Sequence, residues 1–147
     1  LLKGIGQQMK WSVRDESLHS KMGCQLFRHM CEEDSSLLSE CREDVITAAK
    51  TMVELEEKYI DKMFEMGDIE GIKSYDLKQF IKKRTNEKLV ELGYVDLGSY
   101  FAYDTKAAGN LDWFYHLTGG VTHTDFFAIR PTDYSKAGEG EDFEDVW

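Results

Sequence analysis

The sequence predicts an all-α fold, and three observations carry that prediction. The only proline of the 147 residues is Pro131, so no ring breaks a helix in the first 130. Apolar residues recur at steps of three and four, the signature of one helix face. Alternation of apolar and polar residues nowhere persists convincingly beyond four residues, which argues against strands.

The first helix is expected from about Leu2 to Glu32. Ile5, Met9, Val13, Glu16, Ser20, Gly23, Phe27 and Met30 follow one another at helical steps, with Ser12, His19 and Leu26 alongside. At 1.5 Å per residue such a helix is on the order of 45 Å long. Asp34-Ser35-Ser36 reads as a turn and N-cap, with Glu40 at capping-box distance. The second helix then carries Leu38, Cys41, Val45, Ala48, Ala49, Met52, Leu55, Tyr59, Met63 and Met66 to a stop at Gly67. The third starts near Ser74 or Tyr75 and runs through Leu77, Phe80, Ile81, Arg84, Leu89 and Leu92 to Gly93. Beyond it, glycines interrupt an aromatic-rich stretch in which one short helix is expected from Asp112 to Leu117. The six methionines fall at helical spacing and are expected in the core.

Eighteen basic residues stand against 28 acidic ones, a net charge of −10. That balance argues against nucleic acid or an anionic membrane as partner, because phosphate recognition needs a basic face. No apolar run approaches the ~20 residues of a membrane span. Cys24, Cys31 and Cys41 match no zinc spacing and read as small buried hydrophobes of a reducing cytoplasm. Half of the net charge lies at the end. Asp133, Glu139, Glu141, Asp142, Glu144 and Asp145 face only Lys136 there, so 133–147 reads as a flexible acidic tail behind a helical domain over 1–132.

Glu16 and His19 are the chemically informative pair. At i and i+3 they point the same way from one helix, within an otherwise apolar stripe. Burying a carboxylate without compensation costs several kcal/mol even after relaxation. A metal ion satisfies both side chains, taking oxygen from Glu and neutral nitrogen from His. Two irons or manganeses are held in this way by Glu-x-x-His helices of four-helix carboxylate proteins. The plainer alternative remains open, since a lone Glu-x-x-His arises often by chance and Arg14 offers Glu16 an ordinary ion pair.

The surrounding text is more specific. Trp11-Ser12-Val13-Arg14-Asp15-Glu16-Ser17-Leu18-His19 resembles the small, radical-generating subunit of class I ribonucleotide reductase. The likeness continues through Arg84-Thr85-Asn86-Glu87-Lys88-Leu89 and Leu92-Gly93-Tyr94. It continues again through Asn110-Leu111-Asp112-Trp113-Phe114, Thr124-Asp125-Phe126-Phe127, Arg130 and Thr132-Asp133-Tyr134. It covers the whole chain and corresponds to roughly the last 40% of such a subunit.

The resemblance implies a partial ferritin-like helical bundle and a role in making deoxyribonucleotides. It implies that Glu16 and His19 ligate one metal of a dinuclear centre of iron, manganese or both. Asp15 then belongs to the hydrogen-bonded link between metal and radical path, and Arg14 holds the acid cluster. Tyr134 matches the tail tyrosine that relays the radical to a large subunit, and Phe143 and Trp147 belong to the peptide that docks there. A homodimer and a cytoplasmic location are implied as well. The other metal ligands, the radical tyrosine and the relay tryptophan should lie upstream of Leu1, in a missing N-terminal half. By itself the 147-residue chain is therefore expected to be inactive. Leu111 stands where the family has proline, and Ala128 where it has glutamate in a position tied to subunit contact. Two rival readings are a related ferritin-like di-metal oxidase and a non-catalytic helical docking module that uses its acidic tail.

Overall fold

The computed structural model describes residues 3–67 and 69–118, without the side chains at 3, 4, 7, 10 and 116–118. The described residues are helical, as expected. They form α1 (Lys3–Glu33), α2 (Leu37–Glu40), α3 (Arg42–Met63), α4 (Ser74–Glu91), a 3-10 turn over Val95–Leu97, α5 (Thr105–Gly109) and α6 (Trp113–Thr118). No strand occurs among them, only an isolated bridge between Ile69 and Ile72. None of their helices is long and apolar enough to cross a membrane.

Helix α4 is the hub. It packs against α1, α3, α5 and the 3-10 turn. Its buried side is unusually polar, with Asp76, Gln79, Thr85 and Asn86 beside Phe80 and Leu89. The polar members hold the chain that returns over the helix. The Asn86 side chain donates to the Phe101 carbonyl at 2.9 Å and accepts from the Phe101 N–H at 3.0 Å. Gln79 accepts from the Asp104 N–H at 3.0 Å, and Asp76 accepts from the Asn110 side chain at 2.8 Å. Asp104 in turn caps α5 by accepting from the N–H groups of Lys106 and Ala107.

The end of α4 matches the expectation at Gly93. Gly93 has φ 111°, the left-handed conformation that glycine adopts without penalty. Its N–H bonds to the Val90 carbonyl, and the Tyr94 N–H reaches back to that of Leu89. This is a Schellman closure with its apolar contact, since Leu89 and Tyr94 share one core cluster with Ile46, Ala49 and Leu97. Phe27, Leu38, Val45, Leu92 and Phe101 pack around it.

Several expectations need correction. The second helix is not continuous, because it breaks at Cys41 into α2 and α3 and ends at Met63 rather than Gly67. Near the break the Ser39 hydroxyl donates to the Ser36 carbonyl at 2.7 Å, a side-chain bond that competes with the helical ladder. Ser36 makes no side-chain cap. Instead Asp34 accepts from the Ser36 N–H at 3.0 Å, so the turn is closed by an Asx bond.

Burial of α3 also differs. Ile46, Ala49, Val53 and Ile60 face the core, whereas Met52, Leu55, Tyr59, Met63 and Met66 are exposed. The helix carries two apolar faces, and the expected stripe is the outer one. All six methionines are exposed. The three cysteines are free and half-buried rather than buried. The 3-10 turn and α5 lie where only irregular chain was expected, while α6 stands close to the expected short helix.

The Asn86 contacts generate a prediction. Asn86→Ala leaves both polar groups of the Phe101 backbone without a side-chain partner. It should lower unfolding stability by about 2 kcal/mol, read as a shifted urea midpoint with unchanged slope. A loss within experimental error would show that the clamp is dispensable.

Candidate functional site

Helix α1 carries two stripes. Its half-buried residues are Val13, Arg14, Ser17, Cys24, Phe27 and Cys31, on the flank turned to the rest of the fold. A neighbouring stripe steps by fours and threes through Ile5, Met9, Ser12, Glu16, His19, Gly23, Leu26 and Met30, and all of it is exposed. Glu16 and His19 sit at its middle. The side chains are 75% and 69% exposed, and the carboxylate lies 3.8 Å from the His19 ring nitrogen Nδ1. The expected stripe is divided, with Val13 and Phe27 half-buried and Ile5, Met9, Glu16, Ser20, Gly23 and Met30 exposed. Leu26, beside it, is 63% exposed.

The two donors match a metal in type, one carboxylate oxygen and one imidazole nitrogen. They do not complete a site. No group of three or more His, Cys, Asp or Glu side chains able to hold an ion occurs among the described residues. Asp15 is exposed beside them and Arg14 is half-buried on the inner flank, so the run Arg14-Asp15-Glu16 spans both sides of the helix. Tyr134, Phe143 and Trp147, Ala128, and the 133–147 tail as a whole lie outside the described residues.

Glu16 also edges a groove of about 440 Å³ between α1, α4 and α6, lined by Ser20, Arg84, Lys88, Glu91 and Tyr115 among others. The far wall is a tight cluster in which Arg84 and Glu87, both in the family-like run 84–89, meet Tyr115. The Tyr115 hydroxyl donates to Glu87, with both carboxylate oxygens within reach at 2.8 and 2.9 Å. Arg84 pairs with the same carboxylate at 3.0 Å. The Arg84 guanidinium and the Lys83 ammonium each lie 5.0 Å from the Tyr115 ring centre. The ring also packs edge-on against Phe80, with centres 5.6 Å apart. Burial, then the bond to Glu87, push the Tyr115 phenol above its ordinary value. The one signal for this cluster in the sequence was Glu87 three residues after Arg84 on a helix.

Residues 1–98 match the family model described as ribonucleotide reductase, small chain. The chain is 33% identical over 139 residues to a probable ribonucleoside-diphosphate reductase small subunit of Invertebrate iridescent virus 3, covering 93% of this chain and 35% of that protein. A probable small subunit of Invertebrate iridescent virus 6 is 29% identical over 168 residues, covering 99% of this chain and 46% of that one. The ribonucleoside-diphosphate reductase subunit beta of Chlamydia pneumoniae is 25% identical over 138 residues, covering 93% and 38%. The chain therefore spans less than half the length of these relatives. No solved structure matches it.

The Tyr115 contact has a pH signature. A phenol whose native value is raised stabilises the fold fully below its unfolded value near ~10 and loses that contribution as pH climbs through the raised native value. Tyr115→Phe should destabilise by about 1 kcal/mol at neutral pH. The difference from the parent should hold constant to about pH 10 and then shrink. Urea titrations of both proteins measure it, and a gap that widens above that pH contradicts the assignment.

Proposed function

The chain belongs to the ribonucleotide reductase small-chain family, and from that premise we propose that it is a segment of a ribonucleoside-diphosphate reductase small subunit whose Glu16 and His19 bind one ion of a dinuclear metal centre. The observation that supports this most is their position. They are two metal-type donors at the middle of an apolar helix face that the described residues leave uncovered. When another element covers such a face, a carboxylate loses its water and needs a cation in its place.

In this reading the centre is of iron, manganese or both, and the remaining ligands come from outside the described residues. When bound, the group supplies the one-electron oxidising power that starts deoxyribonucleotide synthesis in a large subunit. The chain's own residues do the rest. Glu16 contributes charge and oxygen, and His19 contributes a neutral nitrogen. Asp15 and Arg14 order the adjoining hydrogen bonds, as outer partners of metal sites generally do. Tyr134 relays the oxidising equivalent, and the segment 133–147 forms a separate acidic unit that docks through Phe143 and Trp147 on the large subunit. The assembly is a cytoplasmic homodimer.

Two experiments test this reading. Co(II), titrated into the 147-residue chain and followed in the visible spectrum, should bind measurably. Glu16→Gln and His19→Ala should each weaken that binding about tenfold or more. Equal affinity in all three proteins would reduce the metal assignment to ancestry. Separately, Phe143→Ala with Trp147→Ala should weaken binding to the large subunit by about 2 kcal/mol, on the order of 30-fold. Unchanged affinity removes the docking role.

A further inference from the structure

The core contains one polar atom without a partner among the described side chains, the hydroxyl oxygen of Tyr94. Tyr94 is only 1% exposed, so the hydroxyl has lost water without gaining an acceptor, a costly arrangement that calls for explanation. Its surroundings supply one. The Tyr94 ring packs on Phe27, with centres 6.2 Å apart, and lies under the Arg42 guanidinium at 5.8 Å. Phe27 is one turn before Cys31 on the same flank of α1, and Arg42 directly follows Cys41 at the α2–α3 break. The ring therefore lies between the flank of α1 that carries Cys31 and the helix break that carries Cys41. Both thiols lie within electrostatic reach of its hydroxyl, and Cys31 within reach of Cys41.

Cys24 is placed differently. It lies seven residues before Cys31 on one helix, roughly 10 Å along the axis, farther than a disulfide spans. Its neighbours are Lys88 and Glu91 of α4. The Cys31–Cys41 pair is joined by a turn and a single helical turn, α2, flanked by the Asp34 turn and the break at Cys41. Bringing the two sulfurs together repositions that one turn and leaves the long helices in place.

We propose that Cys31 and Cys41 are a peroxide-responsive thiol pair in which the Tyr94 hydroxyl donates to the oxidised sulfur. The Cys41 sulfur attacks hydrogen peroxide, the O–O bond breaks, one water leaves, and the sulfur keeps the other oxygen as a sulfenic acid. That oxygen is the acceptor the Tyr94 hydroxyl lacks. The Cys31 sulfur then attacks the Cys41 sulfur. The S–S bond forms, the S–O bond breaks, and the oxygen leaves as a second water with the Cys31 proton. Two thiols lose two electrons and two protons, and one peroxide becomes two waters.

Intact mass and peptide mapping test this on the reduced 147-residue chain exposed to a small excess of hydrogen peroxide. Two of the three thiols should disappear with loss of two hydrogens, leaving Cys24 open to alkylation. A glutamyl endopeptidase cuts between the cysteines at Glu32, Glu33 and Glu40 and should leave two peptides joined through Cys31 and Cys41. Cys24→Ser should form the bridge at the parent rate. Tyr94→Phe, which keeps the ring and its packing, should slow it by about tenfold with the helical circular dichroism unchanged. A bridge through Cys24, disulfide-linked dimers alone, or three intact thiols in a chain of unchanged helicity would overturn the pair. An equal rate in Tyr94→Phe would overturn the role of the hydroxyl.

Discussion

The bidentate contact between the Asn86 amide and the backbone of Phe101 is the constraint on which the described fold depends. After Gly93 the chain turns back over α4 with little regular structure, so its N–H and C=O groups lack a ladder. Helix α4 supplies fixed partners at successive turns, with Asp76, Gln79 and Asn86 along one side. Once Phe101 and Asp104 are pinned, Leu97, Ala107, Ala108 and Leu111 are held in buried positions. Their placement brings α6 against Phe80 through Phe114 and Tyr115. Helix α1 packs on the surface that α4 and α6 then share. The orientation of α1, and with it the placing of Glu16 at the edge of the groove, depends on polar contacts two helices away.

That orientation separates two jobs along α1. Val13, Ser17, Cys24, Phe27 and Cys31 meet the fold, and the stripe through Met9, Glu16, His19 and Leu26 beside them is exposed, with Glu16 at the edge of the groove. A helix with two such sides belongs between layers, and an exposed apolar stripe of this length marks an interaction surface. The pair Glu16–His19 stands at the polar middle of that stripe, between Ser12 and Gly23. Water now solvates both side chains, and a metal in a covered site would take over that role.

The helices were legible because period and punctuation agreed. The long amphipathic run of α1, the start of α4 at Ser74 and its end at Gly93 follow from patterns that any packing partner would respect. Burial was less legible. Helix α3 carries apolar residues on two faces, and periodicity alone cannot say whether Ile46, Val53 and Ile60 or Met52, Tyr59 and Met63 turn inward. The choice rests on α4, which offers Leu89 as a partner to Ile46 and Ala49 and the cations Lys78 and Lys82 to Asp61 and Glu57 of α3. The clamp residues were harder still, because Asp76, Gln79 and Asn86 look like solvent-facing helix residues until the returning chain is in place. For the site, the nine-residue run around Glu16 and His19 carried the family resemblance, while the exposure of both side chains could not be read from periodicity.

The Leu111 departure shows how a change in a family pattern can be absorbed locally. Where the resemblance expects proline, the Leu111 side chain is 3% exposed and its N–H donates to the Ala108 carbonyl at 3.2 Å. Proline has no N–H for that bond and presents a smaller apolar surface. Leucine therefore adds a turn-closing hydrogen bond at the end of α5 and apolar burial beneath it. The next residue, Asp112, pairs with Lys83 of α4 at 2.7 Å, and Phe114 closes on the Leu111 carbonyl at 3.0 Å. The substitution thus acts on how α5 leads into α6, the helix whose Tyr115 lines the same groove as Glu16.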